Sequence, residues 1–537
     1  MRAIIVNLTR FGDLLQTQPV ITGLAGAGYA VDVVCQQNFA AAAALLQGVG
    51  QAFPLPGARL LARVHDAWPS AVAEVEAFRA RVCGAQSPGV VVNLTPSLSA
   101  RLLAGILSGR YGAGRLGGGS APVRGFGLDE HGFNADDSAW AAFLQCATAE
   151  RGSSPFNVCD LFRRAAGLSG PGADLALREP GPEAAAAVAG RMAEAAAAGG
   201  GEGRSGFLAL QMGASEDRRR WPVGRFAALA AGAWRRLGLV PVLLGSTSER
   251  PLAERFARQV EAGVPVVDLV GGTDLPELAA AVAACSAIVS NDTGTMHLAA
   301  GLGVPVVAVF LATAQPWDTG AYREGALSLE PDMDCHPCAF GATCPHDEAC
   351  RQAIGADVVL DCLVARLADE EPGGLAGRGA RAWRARRLDD GFLGLDSLSG
   401  HGDDPRSAWI LVQREQYRRF LDGEPPAPVP RPTAALAAAL GEALAPALER
   451  AAGLLELLVR QVELVARAPA GAVRSKFLAS TQQVHTVLAS EPRLSVLAAL
   501  WRSESQRQGG DLGQLGVFLH RFLALVQSLR QAVRPSA

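Results

Sequence analysis

The sequence predicts two doubly wound α/β domains followed by an all-helical C-terminal extension. Short β-branched runs, such as AIIVN at 3–7 and VVVNL at 90–94, alternate with helical stretches up to about residue 170. A second alternation of this kind runs from FLALQ at 207–211 to VPVVAVF at 304–310. After about residue 375 the strand patterns stop, and apolar residues recur at helical spacing. Alternating strands and helices indicate parallel sheets with crossover helices.

The first domain is predicted to span residues 1–180, and the second to span residues 207–372. Their very apolar strands suit sheets that are covered by helices on both faces. Residues 181–206 join them and hold an Ala-rich helical segment and the sequence GGGEGRSG, which we interpret as a hinge. Two such domains on a hinge describe the GT-B architecture, whose ligands bind in the cleft that faces the carboxyl ends of the strands.

The remaining third of the chain carries a different pattern. Residues 373–433 are predicted to form a linker, with a basic helix at RGARAWRARR and a Pro-rich extended spacer at 424–432. Residues 434–537 are predicted to form a helical bundle of unknown role. The predicted helices of this bundle are 434–467, 472–490, 493–506 and 511–533.

The composition is globular and carries no global basic field. The 537 residues are 49% hydrophobic and 19% charged, with a net charge of −3, which argues against a nucleic-acid partner. The N-terminus lacks the long apolar segment of a signal peptide, and no uninterrupted apolar run reaches the roughly 18 residues of a membrane span. We expect a cytoplasmic protein. Thiols there are reduced, so we expect six scattered cysteines to be small buried residues: Cys35, Cys83, Cys146, Cys159, Cys285 and Cys362.

Gly12 and Asp13 follow the first predicted strand, where a helix begins. Gly12 permits a tight turn, and Asp13 would face the cleft near the helix N-terminus. A carboxylate in that place is able to take the proton of an acceptor hydroxyl. A helix-capping role for Asp13 is the alternative.

The segment SNDTGTMH at 290–297 combines polar residues at the end of another apolar strand. Free N–H groups at a helix start bind phosphate, and a glycine there allows close backbone approach. We therefore predict a phosphate site at the helix start of Thr293 and Gly294, next to Asp292, with His297 on the helix face that continues the first turn. An ordinary helix capped by Asp292 is the alternative.

Two other loops of the second domain also follow strands. Arg219 lies in a run of three arginines before a Trp-Pro pair, and its guanidinium suits the oxygens of a pyrophosphate. A solvated basic loop is the alternative. Glu249, in GSTSER at 245–250, is placed to accept hydrogen bonds from a nucleoside ribose. The alternative is a carboxylate favoured by the helix dipole.

A cysteine cluster lies within the second domain, at 335–350. Cys335, Cys338, Cys344 and Cys350 fall within 16 residues of one another, and four thiolates are able to hold one metal ion tetrahedrally. The opening CxxC is typical of a metal knuckle, whereas the x5 spacings are not those of a standard zinc finger. Structural zinc or iron and a loop of free thiols both remain open.

Taken in order, these motifs resemble glycosyltransferase family 9, the ADP-heptose:lipopolysaccharide heptosyltransferases. The opening MRAIIVNLTRFGDLLQTQPVITGL is similar to the family's N-terminus. GASEDRRRWP is similar to its GAS…KRWP segment, and SNDTGTMHLAAGLGVPVVAVF to its donor loop with Asp-Thr-Gly and a following His. The resemblance covers about residues 1–365.

The resemblance implies an inverting glycosyltransferase whose chemistry needs no cofactor. It would transfer heptose, or a similar sugar, from ADP-heptose or another nucleotide sugar to a lipopolysaccharide core or another glycan. Asp13 would be the catalytic base, and any contact with the inner membrane would be peripheral. The donor would contact Arg219, Glu249, Asp292, Thr293, Gly294 and His297.

The resemblance also has limits. Arg219 replaces the family's Lys, and Gln211–Met212 replaces a His-Pro or similar pair. The helical region beyond residue 372 is outside the resemblance. In a protein-modifying branch of the family, the cysteine cluster binds iron.

Other interpretations stay open for the acceptor and for the helical domain. Arg101 and Arg115 are basic residues that would suit acidic acceptor groups, unless they are solvated surface, and a protein acceptor is a further option. A non-catalytic scaffold is the competing hypothesis, in which the helical domain binds protein or oligomerises. A sugar-nucleotide epimerase is disfavoured, because Asp13 and the match at 266–310 both belong to the transferase pattern.

Overall fold

The computed structural model describes residues 1–84, 87–111, 120–150, 154–201, 203–428, 434–467 and 471–534. The strands are β1 Arg2–Val6, β2 Ala30–Gln36, β3 Val49–Leu55, β4 Val90–Asn93, β5 Val123–Gly125, β6 Gly206–Gln211, β7 Leu239–Leu244, β8 Val267–Asp268, β9 Ala287–Asn291, β10 Val306–Val309, β11 Leu327–Pro331, β12 Ala380–Arg387 and β13 Leu393–Ser397. The helices are α1 Phe11–Leu15, α2 Gln18–Gly26, α3 Ala40–Ala43, α4 Gly57–Cys83, α5 Leu98–Leu107, α6 Ala139–Ala149, α7 Val158–Ala165, α8 Pro182–Ala198, α9 Val223–Leu237, α10 Arg250–Gln259, α11 Leu275–Ala283, α12 Gly294–Gly301, α13 Pro316–Thr319, α14 Cys350–Ala353, α15 Ala356–Ala368, α16 Pro405–Asp422, α17 Ala434–Arg467, α18 Gly471–Ala489, α19 Ser495–Gln508 and α20 Leu512–Ala532.

The first sheet forms the N-terminal lobe, with strand order β3-β2-β1-β4-β5. The strand pairs are parallel, as the predicted crossover helices require. Buried apolar side chains of β1 and β4, such as Ile4 and Val91, pack against Phe78 of α4 and Leu103 of α5. The strand order steps from β1 to β2 on one side and from β1 to β4 on the other. This places the β1 carboxyl end at the switch point, where α/β sheets bind ligands.

The second sheet forms the C-terminal lobe, with strand order β13-β12-β11-β10-β9-β6-β7-β8. Strands β6 to β11 pair in parallel, and β9 lies beside β6 at the switch point. Trp221 and Phe226 are fully buried in the core of this lobe, against Leu210 and Val289. The two lobes belong to one unit, residues 1–134 and 157–400. The prediction of two doubly wound domains is confirmed.

The segment RGARAWRARR is a strand, and the prediction of a basic helix there was wrong. Strand β12 pairs antiparallel with β11, with Leu329 opposite Ala382, and then with β13. Trp383 and Ala385 alternate with Arg384 and Arg386, so that apolar and basic side chains point to opposite faces of this part of the strand. The arginines of the strand also have carboxylate partners, as in the pairs Arg381–Asp332 at 3.1 Å, Arg386–Asp396 at 3.0 Å and Arg387–Asp174 at 2.8 Å. Pairing with β11 and β13 therefore overrides the local helix propensity.

The predicted hinge at 181–206 contains a packed helix. Val188, Met192 and Ala196 of α8 are buried, and Arg191 binds Glu277 of α11 at 3.1 Å and the carbonyl of Gly272 at 2.6 Å. Helix α8 is therefore part of the C-terminal lobe. The Gly-rich stretch after α8 is described except for residue 202.

A second unit comprises residues 135–156 and 401–537. The predicted helices of the bundle are present as α17 to α20, and α6 and α16 belong to the same unit. Residues 135–156 therefore belong to this second unit and not to the predicted first domain, and α16 belongs to it and not to the predicted linker. The core of the second unit contains a cluster of Phe420, Trp501, Phe518 and Phe522 with ring centroids 5.0–6.4 Å apart. The Pro-rich spacer is described only to residue 428, so residues 429–433 lie outside the described part.

One described helix, α20, has the length and apolar content of a membrane span, and 44% of that stretch is buried inside the protein. Core helices of helical bundles share both properties. The six scattered cysteines are buried, as predicted. Burial raises the pKa of Cys35 to about 11 and that of Cys285 to about 12, so these thiols stay neutral.

Candidate active site

The loop after β1 is tied down by buried polar side chains before α1 begins. Asn7 donates from Nδ2 to the Thr17 hydroxyl at 2.7 Å and to the Asp13 carbonyl at 3.1 Å. The amide of Leu8 donates to the Thr95 hydroxyl at 2.8 Å, which links the loop to the end of β4. Asn7 and Thr17 are almost completely buried. The backbone of α1 is therefore held in place at the switch point of the sheet.

Asp13 lies in the first turn of α1 and is half-buried. Its carboxylate accepts a hydrogen bond of 3.3 Å from the amide of Arg10, so it does take the helix-capping role that was the alternative to catalysis. That bond is long and lies in an exposed position. The Asp13 carboxylate is therefore still able to accept a hydrogen bond from a substrate hydroxyl.

In the C-terminal lobe, α12 begins where β9 ends, as the sequence predicts. Thr293 is the N-cap in extended conformation, and its side chain makes no capping bond to the helix. Its hydroxyl lies 3.2 Å from that of Ser290. The first turn of α12 therefore keeps donors that an anion is able to use.

Glycines bring the two lobes into contact at these loops. A methyl group on Gly12 would lie 3.1 Å from Cα of Gly294 and 3.3 Å from Cδ2 of His297. A methyl group on Gly294 would lie 2.5 Å from Cδ1 of Phe11. Helix α1, which carries Asp13, thus packs directly on the start of α12. His297 is buried at this contact. Glycine is needed at position 12 because the backbones of the two lobes approach each other closely there.

Arg219 and Asp292, predicted as separate donor ligands, are paired with each other. Their side chains, 9% and 8% exposed, form a short ion pair, and Arg219 also donates to the Ser215 hydroxyl at 3.0 Å. Asp292 therefore does not cap α12. The pair fixes the guanidinium beside the N-terminus of that helix. The opposite charges also compensate part of the free-energy cost of burying each of them.

Asn291 holds this arrangement together, and sequence reasoning missed it. It is fully buried, donates to the carbonyls of Met212 and Gly213 at 2.8 and 3.2 Å, and accepts from the amide of Trp221 at 2.9 Å. It therefore joins both ends of the loop that carries Arg219 to β9. The signal was a second polar residue beside Asp292 at a strand end.

Glu249 lies at the mouth of the neighbouring strand β7. Its carboxylate accepts from the amide and hydroxyl of Ser246 at 2.6 and 2.8 Å, so its alternative role at the helix start is also present. Gln211 donates to Glu249 at 3.2 Å and accepts from the Thr295 hydroxyl at 3.3 Å. Glu249 also fills the space above Gly213, where a methyl group would lie 1.2 Å from Oε1. Gln211, the departure noted above, thus links Glu249 to α12.

Residues 131–349 match the family model described as glycosyltransferase family 9 (heptosyltransferase). The chain is 34% identical over 134 residues to lipopolysaccharide heptosyltransferase 1 of Pseudomonas aeruginosa, which covers 25% of this chain and 36% of that relative. It is 36% identical over 98 residues to lipooligosaccharide heptosyltransferase 2 of Haemophilus influenzae, covering 18% of this chain and 28% of that relative. The resemblance to glycosyltransferase family 9 is confirmed. The matches span about a third of the length of these curated relatives.

A solved structure agrees on the fold. The crystal structure of a family 9 glycosyltransferase from Veillonella parvula aligns with a TM-score of 0.50 and 18% identity, covering 69% of this chain and 97% of that chain. The GT-B architecture of the first unit is therefore confirmed, together with a helical C-terminal region that extends it.

The cysteine-rich loop packs on the loop that carries Arg219. Arg218 donates to the carbonyl of Ala342 at 3.0 Å, and Arg351 donates to the carbonyl of Arg220 at 3.1 Å. Burial, and then the neighbouring cysteines, raise the pKa of Cys338 above its usual range. Within the described residues, however, no three His, Cys, Asp or Glu side chains are placed to hold one metal ion.

Arg101 is a structural residue, and its proposed contact with an acidic acceptor is contradicted. It is 1% exposed, and it donates to the carbonyls of Pro96 and Gly127 at 3.0 and 2.6 Å. Its buried guanidinium donates to backbone carbonyls, so an acidic group of the acceptor substrate does not reach it. Arg115 lies outside the described residues.

Proposed function

We propose that the first unit is an inverting glycosyltransferase. It transfers heptose, or a similar sugar, from ADP-heptose or another nucleotide sugar to a lipopolysaccharide core or another glycan. The observation that carries this proposal is the contact of Gly12 with Gly294, which sets a carboxylate of one lobe beside an open helix N-terminus of the other.

The donor diphosphate would lie at the mouth of α12. The N–H groups after Thr293 and the guanidinium of Arg219 would be the donors to its phosphate oxygens. Asp292 orients that guanidinium, and Thr293 adds a hydroxyl. The nucleoside would extend toward Glu249 at the end of β7, which has the acceptor oxygens that a ribose needs.

The reaction needs one proton acceptor and one stabilised leaving group. The acceptor hydroxyl oxygen forms a bond to the anomeric carbon, and its proton passes to the Asp13 carboxylate. The bond from that carbon to the diphosphate breaks, and its electron pair leaves on the phosphate oxygen. The α12 amides and Arg219 stabilise the charge that develops there. These groups suffice without a metal ion, so we expect transfer to persist in EDTA.

Replacing Asp13 by Asn tests the assigned base. An amide oxygen still accepts the hydrogen bond from Arg10, so α1 keeps its cap, but an amide does not take a proton at neutral pH. We expect turnover to fall by about 10²-fold or more, with the Kd for ADP within about threefold of wild type. Near-wild-type turnover of Asp13→Asn would overturn the assignment.

Acceptor and location follow from the same proposal. A lipid-linked core acceptor would place the enzyme at the cytoplasmic face of the inner membrane. Mass spectrometry of products from a panel of donors and acceptors, protein acceptors included, tests this. Elemental analysis of the same sample tests the separate hypothesis of structural iron or zinc at the cysteine-rich loop. A metal content far below one per chain would remove that hypothesis.

A further inference from the structure

Helix α4 of the N-terminal lobe is a hairpin with an apolar tip. The helix breaks at Ala67, whose φ of −157° and ψ of 68° are not helical. Around this break, Leu61, Val64 and Trp68 are 67%, 53% and 67% exposed. Soluble proteins normally cover large apolar side chains that lie this close together. Trp in particular is favoured at boundaries between an apolar phase and water.

The two limbs of the hairpin pack on each other, so the tip is held in a defined place. Arg59 and Arg63 of the first limb both pair with Glu74 of the second, Arg63 at 3.1 Å. Arg63 also donates to the Ser70 hydroxyl at 3.3 Å. The exposed tip is therefore part of a supported element.

The hairpin starts at the carboxyl edge of the N-terminal sheet. Strand β3 ends at Leu55 at that edge, and the first limb leaves from Gly57. The second limb returns to the lobe core through Phe78, ten residues after Trp68. At about 1.5 Å per residue, the second limb places the tip roughly 15 Å from Phe78 along the helix axis. The loop that carries Asp13 follows β1 at this same edge.

Helix α4 as a whole holds four arginines against three carboxylates, and the excess of positive charge lies between its two limbs. A groove of about 420 Å³ between them is lined by Arg59, Arg63 and Arg81, with Glu74 as the carboxylate in that lining. Side chains of Arg59 and Arg63 are 62% and 46% exposed. Apolar residues that alternate with cationic ones on a short helix are the pattern of an element that lies in an anionic lipid interface.

We propose that the α4 hairpin inserts Leu61, Val64 and Trp68 into the surface of an anionic phospholipid bilayer, with its arginines at the headgroups. This turns the carboxyl edge of the N-terminal lobe, and with it Asp13, toward the membrane. The link to a lipid-linked acceptor rests on the function proposed above, whereas the membrane contact itself does not.

Vesicle binding of the full chain tests the proposal directly. The probes are vesicles of phosphatidylcholine alone and vesicles with 30 mol% phosphatidylglycerol, a composition of roughly one anionic lipid in three. We expect sedimentation with the anionic vesicles and at least tenfold weaker binding to the neutral ones. The variant with Leu61→Ser, Val64→Ser and Trp68→Ser is expected to lose at least tenfold in partitioning. These side chains are exposed, so its circular dichroism and Tm should match wild type.

Matched controls separate this surface from general stickiness. Val517 is 63% exposed in the helical unit, and Val517→Ser should bind vesicles like wild type. Arg59→Gln leaves Arg63 paired with Glu74 and should weaken binding about fivefold, the expectation for one cationic residue at an anionic surface. Free glycerol phosphate at millimolar concentration should not compete, because the partner is a surface and not a soluble phosphate.

Three outcomes would overturn the proposal. They are no binding to either vesicle, equal binding to both, and full binding by the triple variant. Failure of the membrane contact is distinguishable from failure of the proposed function. Asp13→Asn should bind vesicles normally while losing turnover, and the triple variant should keep transfer to a delipidated acceptor.

Discussion

Replacing Gly12 by Ala is the sharpest probe of the contact between the lobes. The added methyl group would lie 3.1 Å from Cα of Gly294 and 3.3 Å from Cδ2 of His297. Ordinary carbon contacts are about 3.5–4.0 Å, so α1 and α12 must separate by roughly 0.4–0.9 Å. One neighbour is backbone and the other is a buried ring, so neither is able to swing aside.

That displacement sets the expected magnitude. Overpacking of this size costs about 1–3 kcal/mol of unfolding free energy. A displacement approaching 1 Å between a base and its reacting atom lowers turnover by up to about 10²-fold. We therefore expect kcat/KM for Gly12→Ala to fall between about 10- and 100-fold. The Kd for ADP should stay within about threefold, because the proposed donor ligands all lie in the C-terminal lobe.

Transfer kinetics, calorimetry with ADP and chemical denaturation measure these quantities. Gly26→Ala is the matched control, since a methyl group there meets nothing within 4 Å, and its kinetics should equal those of wild type within about twofold. Wild-type kcat/KM in Gly12→Ala would refute the argument that the approach of the two lobes positions Asp13.

Other substitutions probe the remaining parts of the first unit. Burial raises the pKa of Asp160 from 3.8 to about 6, so the folded state binds its proton more tightly than the unfolded state. Its contribution favours folding below about pH 4 and is lost as pH rises to about 6. We therefore compare the unfolding free energy of Asp160→Asn with that of wild type by urea denaturation. The difference, variant minus wild type, should be up to about 3 kcal/mol larger at pH 7 than at pH 4. Asn291→Ala leaves the amide of Trp221 without its partner and should lower the unfolding free energy by about 2–4 kcal/mol. Gly213→Ala would place a methyl group 1.2 Å from Oε1 of Glu249, which expels the carboxylate and should raise the Kd for ADP about tenfold or more, by calorimetry.

Each of these has an outcome that contradicts it. A pH-independent difference between Asp160→Asn and wild type would mean that folding does not change the pKa of Asp160. An unchanged Tm in Asn291→Ala would show that water replaces its hydrogen bonds. Gly190→Ala, where a methyl group meets nothing within 4 Å, is the control for Gly213→Ala, and equal ADP affinity in both would remove Glu249 from the donor site.

Much of the site could be predicted because its signals are local. A strand of apolar residues followed by Asp-Thr-Gly specifies where β9 ends and α12 begins, and Gly294 is the N1 residue of that helix. The cap residue and the first turn depend on neighbours in the sequence, so pattern and chemistry suffice. The same holds for Asp13 in the first turn after β1.

Contacts distant in sequence could not be predicted this way. Arg219 and Asp292 are 73 residues apart, and only the adjacency of β6 and β9 makes them an ion pair. Arginine is usually a surface residue, yet Arg101 is buried because backbone carbonyls accept hydrogen bonds from its guanidinium. The basic stretch at 380–387 follows helix propensity locally, but pairing with β11 and β13 makes it a strand.

By itself, the sequence determined the alternation of strands and helices, the helical extension and the ends of the strands that carry polar residues. Those features arise from hydrophobic periodicity and from capping chemistry over a few residues. Only the tertiary structure decided which polar residues meet, that Gly12 and Gly294 touch across the cleft, and that the tip of α4 stands uncovered. These depend on strand order and on packing between elements, because side chains from distant parts of the chain become neighbours only when the sheets are assembled.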